Sequence, residues 1–156
     1  MKKFNHYINE KLKLSSQSKL DNGYHYHPKS FSALRELLIK LLNERGKDAN
    51  LNDIDISQVT TFYDENEQIG LFEKLDPHNI KIDKWDVSNV TNMKETFYMC
   101  YNFNCNLSEW DVREVRNMYW MFTLCEEFKG KGLENWKVDK CNNFINNSLN
   151  AENDLG

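Results

Sequence analysis

Apolar residues recur at fixed intervals in the C-terminal half of the chain. Two consecutive stretches match at all eight of their apolar positions, and each match is 25 residues apart. The first is Ile82, Trp85, Val87, Val90, Met93, Phe97, Cys100 and Phe103; the second is Leu107, Trp110, Val112, Val115, Met118, Phe122, Cys125 and Phe128. A repeat of this period is typical of a solenoid, in which each unit buries its apolar face against its neighbours.

Weaker copies flank these two units. Unit one starts at Leu51 and aligns with unit two at a constant offset of 31 residues, with Phe72 among the aligned positions. The extra length of unit one is assigned partly to the polar loop 64–67. Unit four starts at Leu133 and continues through Trp136, Val138, Cys141 and Phe144, with Ser148 where phenylalanine is expected. Trp-x-Val alternates as a short strand does, and the following spacings of three and four fit one helix face. The prediction is an α/β repeat, a short leucine-rich-repeat-like solenoid of about four coils, each a short strand plus a short helix.

A different pattern precedes the repeats and predicts an amphipathic helix. Ser30 is a good N-cap and Gly46 a good C-terminal stop. Between them lie the apolar residues Phe31, Leu34, Leu37, Leu38, Leu41 and Leu42, with Arg35, Glu36, Lys40 and Glu44 on the opposite face. This helix is expected to cap the first coil. The predicted organisation is an N-terminal segment and capping helix (1–46), a repeat solenoid (47–149) and a polar tail (150–156).

Composition and charge exclude several classes of protein. With 20 basic and 24 acidic residues and a net charge of −4, the chain has no basic stripe for nucleic acid and no polybasic membrane patch. No apolar run is long enough for a signal peptide or a bilayer span, so we expect a cytoplasmic protein, or a cell-surface one within a longer exported precursor. Cys100 and Cys125 share a repeat position, so stacked coils would place them close together; a buried thiol pair is favoured over a disulfide.

The stretches Trp85–Met93 (WDVSNVTNM) and Trp110–Met118 (WDVREVRNM) resemble the repeat of the BspA-like leucine-rich-repeat proteins, also called the DUF285 or Mycoplasma lipoprotein-type repeat. Met121-Phe122 and Cys125 match the continuation of that motif, whereas unit two has Thr96 in place of the methionine. The resemblance spans roughly residues 47–148. It implies a leucine-rich-repeat-like solenoid for protein–protein contact, and many family members are bacterial surface proteins implicated in adhesion.

Four aromatic residues outside the core positions are the candidates for binding a partner: Tyr98, Tyr101, Tyr119 and Trp120. Trp and Tyr are enriched at binding hot spots, although scattered surface aromatics are also ordinary. The three repeat tryptophans are expected in the core, and Asp86 and Asp111 are expected to bond the backbone at turns rather than to act as an acid–base pair. No phosphate loop, nucleophile motif or set of metal ligands is recognised, so no catalytic residue, metal or cofactor is predicted.

The leading functional hypothesis is a non-enzymatic protein-binding module, a small intracellular solenoid that binds a protein partner. One version of this hypothesis is that the chain inhibits the partner. In that version the chain comes from a phage or mobile element and inhibits a host defence nuclease such as a CRISPR effector. The alternative is a bacterial surface adhesion module of the BspA-like type. Direct binding of nucleic acid is not expected, and the sequence leaves the partner, the binding face and the oligomeric state open.

Overall fold

One α-helix precedes the repeat units in the part of the chain that the structure describes. The computed structural model describes residues 23–141 and residue 143, and helix α1 runs over Phe31–Arg45. The hydroxyl of Ser30 accepts a hydrogen bond from the Ala33 amide at 3.2 Å, which caps the helix start. Gly46 ends it with a φ of 86°, a conformation that costs glycine little. All six predicted apolar residues of the helix are buried, so the predicted helix and its inward face are confirmed.

Successive repeat units lie side by side in parallel register. Thr61 pairs with Asn92, and Asn92 pairs in turn with Asn117, so the same repeat position is adjacent in units one, two and three. Every second amide along unit two donates to a carbonyl of unit three, at 2.8–3.1 Å. The donor and acceptor pairs are Met93 to Asn117, Glu95 to Tyr119, Phe97 to Met121, and Met99 to Thr123. Each donor and its acceptor are 24 residues apart, and the repeat positions of units two and three pair at an offset of 25 residues.

The local conformation within a unit differs from the predicted strand and helix. Residues 94–99 form consecutive turns, and no strand is present at residues 85–87. Glu95 and Met99 have φ values of 51° and 59°, and the equivalent Trp120 and Leu124 have 55° and 63°. A left-handed residue at every fourth position stops a right-handed helix. This geometry lets alternate amides reach the next unit instead of bonding along a helix axis, which explains why an apolar spacing of three and four forms turns here.

The extra residues of unit one form a β-hairpin. Strand β1 (Tyr63–Asp64) pairs antiparallel with strand β2 (Ile69–Gly70), so the insertion lies where the polar loop predicted it. After the hairpin, unit one pairs with unit two in a different register from the one that the sequence alignment predicted. Phe72 stacks on Phe97 at 5.1 Å between ring centroids, rather than on Phe103 as the constant offset of 31 predicted. The offset is 25 at this point, because the hairpin has already absorbed the six additional residues.

The tryptophans of units two, three and four form the centre of the core. Trp85 and Trp110 stack with ring centroids 6.4 Å apart, and Trp110 and Trp136 stack at 6.5 Å. Each indole N–H donates to a carbonyl of the preceding unit at 2.9 Å; the acceptors are Leu51, Ile82 and Leu107. All three side chains are buried, so the predicted core role is confirmed and an exposed tryptophan stripe is ruled out.

Unit four is described only in part. It begins with a 3-10 helix, Leu133–Asn135, and continues through Trp136 to Cys141. Phe144 and Ser148, which the repeat pattern assigned to this unit, lie outside the described residues, as do residues 1–22 and the predicted tail. Within the described part of the chain, no helix has the length and apolar character needed to cross a bilayer.

Arg35 joins α1 to the hairpin and does not lie on a solvated helix face as its sequence position suggested. Its guanidinium donates to the carbonyls of Gly70, Leu71 and Glu73 at 2.8, 2.6 and 3.1 Å. Burial lowers the pKa of Arg35, an effect that the Glu73 carboxylate opposes. The side chain therefore serves as a hydrogen-bonding clamp between the helix and the second strand.

We expect the variant Arg35→Met to lose about 2–3 kcal/mol of unfolding free energy, since the methionine keeps the apolar stem and leaves three carbonyls without their charged donor. Urea unfolding followed by circular dichroism measures the effect. The matched control is Lys40→Met on the same helix, whose ion pair with Glu44 is long at 3.9 Å and is expected to contribute less than about 0.5 kcal/mol. Equal midpoints for the two variants would contradict the clamp.

Candidate functional site

Three of the four predicted aromatic residues come together on the surface of units two and three. The ring of Trp120 stacks on Tyr119, with centroids 4.6 Å apart, and on Tyr98 at 6.1 Å. Trp120 is 42% exposed and Tyr119 38% exposed, whereas Tyr98 is half-buried. We call these three residues, together with the exposed Leu124 four positions after Trp120, the aromatic patch.

The backbone holds the aromatic patch in place from both sides. The backbone carbonyl of Tyr119 accepts a hydrogen bond from the amide of Glu95 at 2.9 Å, and that of Thr123 accepts one from the amide of Met99 at 3.1 Å. Trp120 and Leu124 occupy left-handed turn positions, which cost about 1 kcal/mol each, and both side chains are exposed. The patch is thus built on paired backbone of two units, a more rigid support than a free loop.

Leu124 was not among the residues predicted from sequence. Its side chain is 41% exposed at the position equivalent to Met99. The sequence did carry a signal for Leu124: Met99 and Leu124 are large apolar residues 25 positions apart, and both lie outside the eight core positions. Tyr101 is 37% exposed, but within the described residues its ring stacks on none of the other three aromatics. It lies beside the patch, with its carbonyl accepting the amide of Glu127 at 3.1 Å.

The repeated aspartates serve as turn residues. Asp86 accepts the amide of Ser88 at 3.1 Å, and Asp111 accepts that of Arg113 at 3.3 Å, as the turn interpretation predicted. The hydrogen bond from the Arg113 guanidinium lowers the pKa of Asp111 to about 2. An acid with this pKa stays ionised at neutral pH and is a poor proton donor.

The in-register cysteines are free and buried, which confirms the thiol interpretation. Cys100 donates its S–H to the Phe72 carbonyl at 3.1 Å, and Cys125 donates to Phe97 at 3.0 Å. Burial raises the pKa of Cys125 to about 12, and it raises the pKa of Cys100 as well. Because the thiolate is the reactive form, these residues are packing groups and hydrogen-bond donors rather than nucleophiles.

The two N-terminal histidines pair with carboxylates of unit one. His25 lies 3.3 Å from Asp53, and His27 lies 3.1 Å from Asp55, on a segment joined to unit one by the parallel pairing of Tyr26 with Ile54. Over residues 23–141 and 143, no three His, Cys, Asp or Glu side chains converge in a way that could hold a metal ion. These histidines tie the segment before α1 to the first unit.

The family comparison agrees with the repeat motif. The chain matches the family described as Mycoplasma protein of unknown function, DUF285, over residues 39–154. Neither the curated proteins nor the solved structures contain a significant match. The match begins inside α1, includes all the repeat units and confirms the resemblance drawn from the Trp-Asp-Val stretches. Since it covers well over half of the sequence, the chain belongs to the DUF285 family.

Proposed function

We propose that this chain is a non-enzymatic protein-binding module and that the aromatic patch is its contact surface. The observation that carries the proposal is the exposed stack of Tyr98, Trp120 and Tyr119. Tryptophan and tyrosine supply large contact area at a low cost in side-chain entropy, and they dominate binding hot spots. A partner that covers the stack would remove apolar surface from water at about 25 cal/mol per Å².

The proposed architecture is a short leucine-rich-repeat-like solenoid, with α1 covering its first coil. Support for this proposal comes from the parallel pairing of equivalent positions in neighbouring units and from the continuous tryptophan stack. In such a fold each unit contacts only its neighbours, so the outer turns form an extended surface. A patch that spans two units then has its shape set by the unit-to-unit spacing.

Inhibition of an intracellular protein, including a host defence nuclease, is the specialisation we propose to test. Adhesion at the bacterial surface is the competing proposal, supported by the resemblance to BspA-like proteins. The two proposals differ in the partner: an intracellular protein of the bacterium in the first case, and an extracellular host protein in the second. Both use the aromatic patch, so the same variants test each.

Affinity capture of the tagged chain from lysate of the bacterium that carries it tests the proposal. Trp120→Ala is expected to weaken binding to the captured partner by about 2 kcal/mol, or roughly thirtyfold, as a hot-spot residue does. The matched control is Ile39→Ala on α1, because Ile39 is 41% exposed, almost the same as Trp120. Isothermal titration with the purified partner gives the affinities.

The outcome decides between the proposals. One intracellular protein that is lost with Trp120→Ala and kept with Ile39→Ala supports the binding module. Specific binding only to extracellular matrix proteins favours adhesion. A partner that binds both variants as tightly as the original chain would move the contact surface away from the aromatic patch.

A further inference from the structure

Carboxylates of units one and three lie on either side of Tyr101, which belongs to unit two. Asp76 accepts hydrogen bonds from the amide and the side chain of Asn102, at 2.9 and 2.8 Å. The residue before Asn102 is Tyr101, and its carbonyl accepts a hydrogen bond from the amide of Glu127. These contacts place Asp76, Tyr101 and the pair Glu126–Glu127 side by side, immediately after the turns that carry Tyr98 and Leu124. We call Asp76, Glu126 and Glu127 the acidic rim.

Two of the three lysines close to this surface are paired with carboxylates. The Lys74 ammonium lies 3.3 Å from Glu73, and Lys94 lies 3.4 Å from Glu95 and donates to the Tyr63 hydroxyl at 2.8 Å. Lys129 donates to the backbone carbonyl of Glu126 at 2.6 Å. That carbonyl is neutral, so the charge of Lys129 stays beside the rim. The three carboxylates of the acidic rim form no salt bridge within residues 23–141 and 143, so the surface presents exposed aromatic rings and a net negative charge.

We propose that this surface binds a basic, arginine-bearing segment of a protein partner, an inference that rests on the proposed function and specifies its ligand. A guanidinium stacks on tyrosine and tryptophan faces and also pairs with carboxylates through two parallel hydrogen bonds. The chain runs from the turns of the aromatic patch into the acidic rim within a few residues, so one surface supplies both partners. A phosphate backbone or an acidic peptide would be repelled by the same carboxylates.

The test measures binding of short fluorescent peptides to the full chain by anisotropy. An arginine peptide, its lysine counterpart and its glutamate counterpart are compared at equal length. We expect the arginine peptide to bind most tightly, and about 0.5 M salt to weaken it strongly by screening the rim. Glu126→Gln/Glu127→Gln and Trp120→Ala are each expected to reduce its affinity about tenfold.

A matched pair of variants separates the rim from net charge. Glu109→Gln/Asp139→Asn removes the same number of charges from exposed positions next to the tryptophan turns, and it is expected to leave arginine-peptide binding within about twofold of the original. Binding that weakens equally in both pairs, a glutamate peptide that binds as well as the arginine one, or no binding of the arginine peptide would overturn the inference.

Failure of this inference is distinguishable from failure of the proposed function. A captured partner that is lost with Trp120→Ala but retained by Glu126→Gln/Glu127→Gln would keep the aromatic patch as the contact surface and reject the basic segment as its ligand. A partner indifferent to both variants would reject the two together.

Discussion

Trp110→Ala is expected to lower the free energy of unfolding by about 3–5 kcal/mol, the range for removing a large aromatic side chain from a packed core. The ring of Trp110 lies between Trp85 and Trp136, and it also contacts Phe62 and Phe97 with centroids 6.1 and 6.2 Å away. Its loss would leave a cavity lined by side chains of all four units. Domains of this size have only about 5–15 kcal/mol of total stability, so this loss would remove a large fraction of it.

Chemical denaturation of Trp110→Ala and two companion variants measures this effect. Trp110→Phe keeps a ring but loses the indole bond to the Ile82 carbonyl, so an intermediate loss is expected. Trp120→Ala changes the same residue type at an exposed site, and its stability is expected to stay within about 1 kcal/mol of the original chain. Similar losses for Trp110→Ala and Trp120→Ala would refute the division into a core stack and a surface patch.

Gly70→Ala is expected to cost about 3 kcal/mol or more, because there is no room for a side chain at this position. A Cβ on Gly70 would lie 1.8 Å from the Glu95 carbonyl oxygen and 2.3 Å from its carbon. Both are backbone atoms of the next unit, which cannot rotate away as a side chain would. Strand β2 and unit two would have to separate to make room. Because the obstacle is backbone, the loss of unfolding free energy exceeds that of ordinary overpacking.

The control for Gly70→Ala is Gly46→Ala. Gly46 has a φ of 86° and a ψ of 176°, a region essentially restricted to glycine, and nothing lies within 4 Å of an added Cβ there, so the cost is limited to backbone strain of about 1–3 kcal/mol. Thermal unfolding of the two variants separates steric collision from conformational strain. A Gly70→Ala protein as stable as Gly46→Ala would mean that units one and two are not in close backbone contact at this position.

The candidate site could be predicted only in part from the sequence. Tyr98, Tyr119 and Trp120 were identified because they depart from the repeat at positions where the core does not need apolar residues. Their stacking, the exclusion of Tyr101 from the stack and the inclusion of Leu124 depend on the left-handed turns. Those turns follow from hydrogen bonds between units, which no pattern within one unit reveals.

The sequence by itself determined the repeat, the buried tryptophans, the limits of α1 and the family, because burial periodicity and helix caps are local and recur in each copy. The tertiary structure decided the rest: turns in place of helices, Phe72 stacked on Phe97, Arg35 bonded to strand carbonyls, and the lack of space at Gly70. In each of these cases the deciding atoms lie 24–38 residues away. Only the register between neighbouring units brings them together, and the hairpin insertion in unit one shifted that register where the sequence pattern assumed a constant offset.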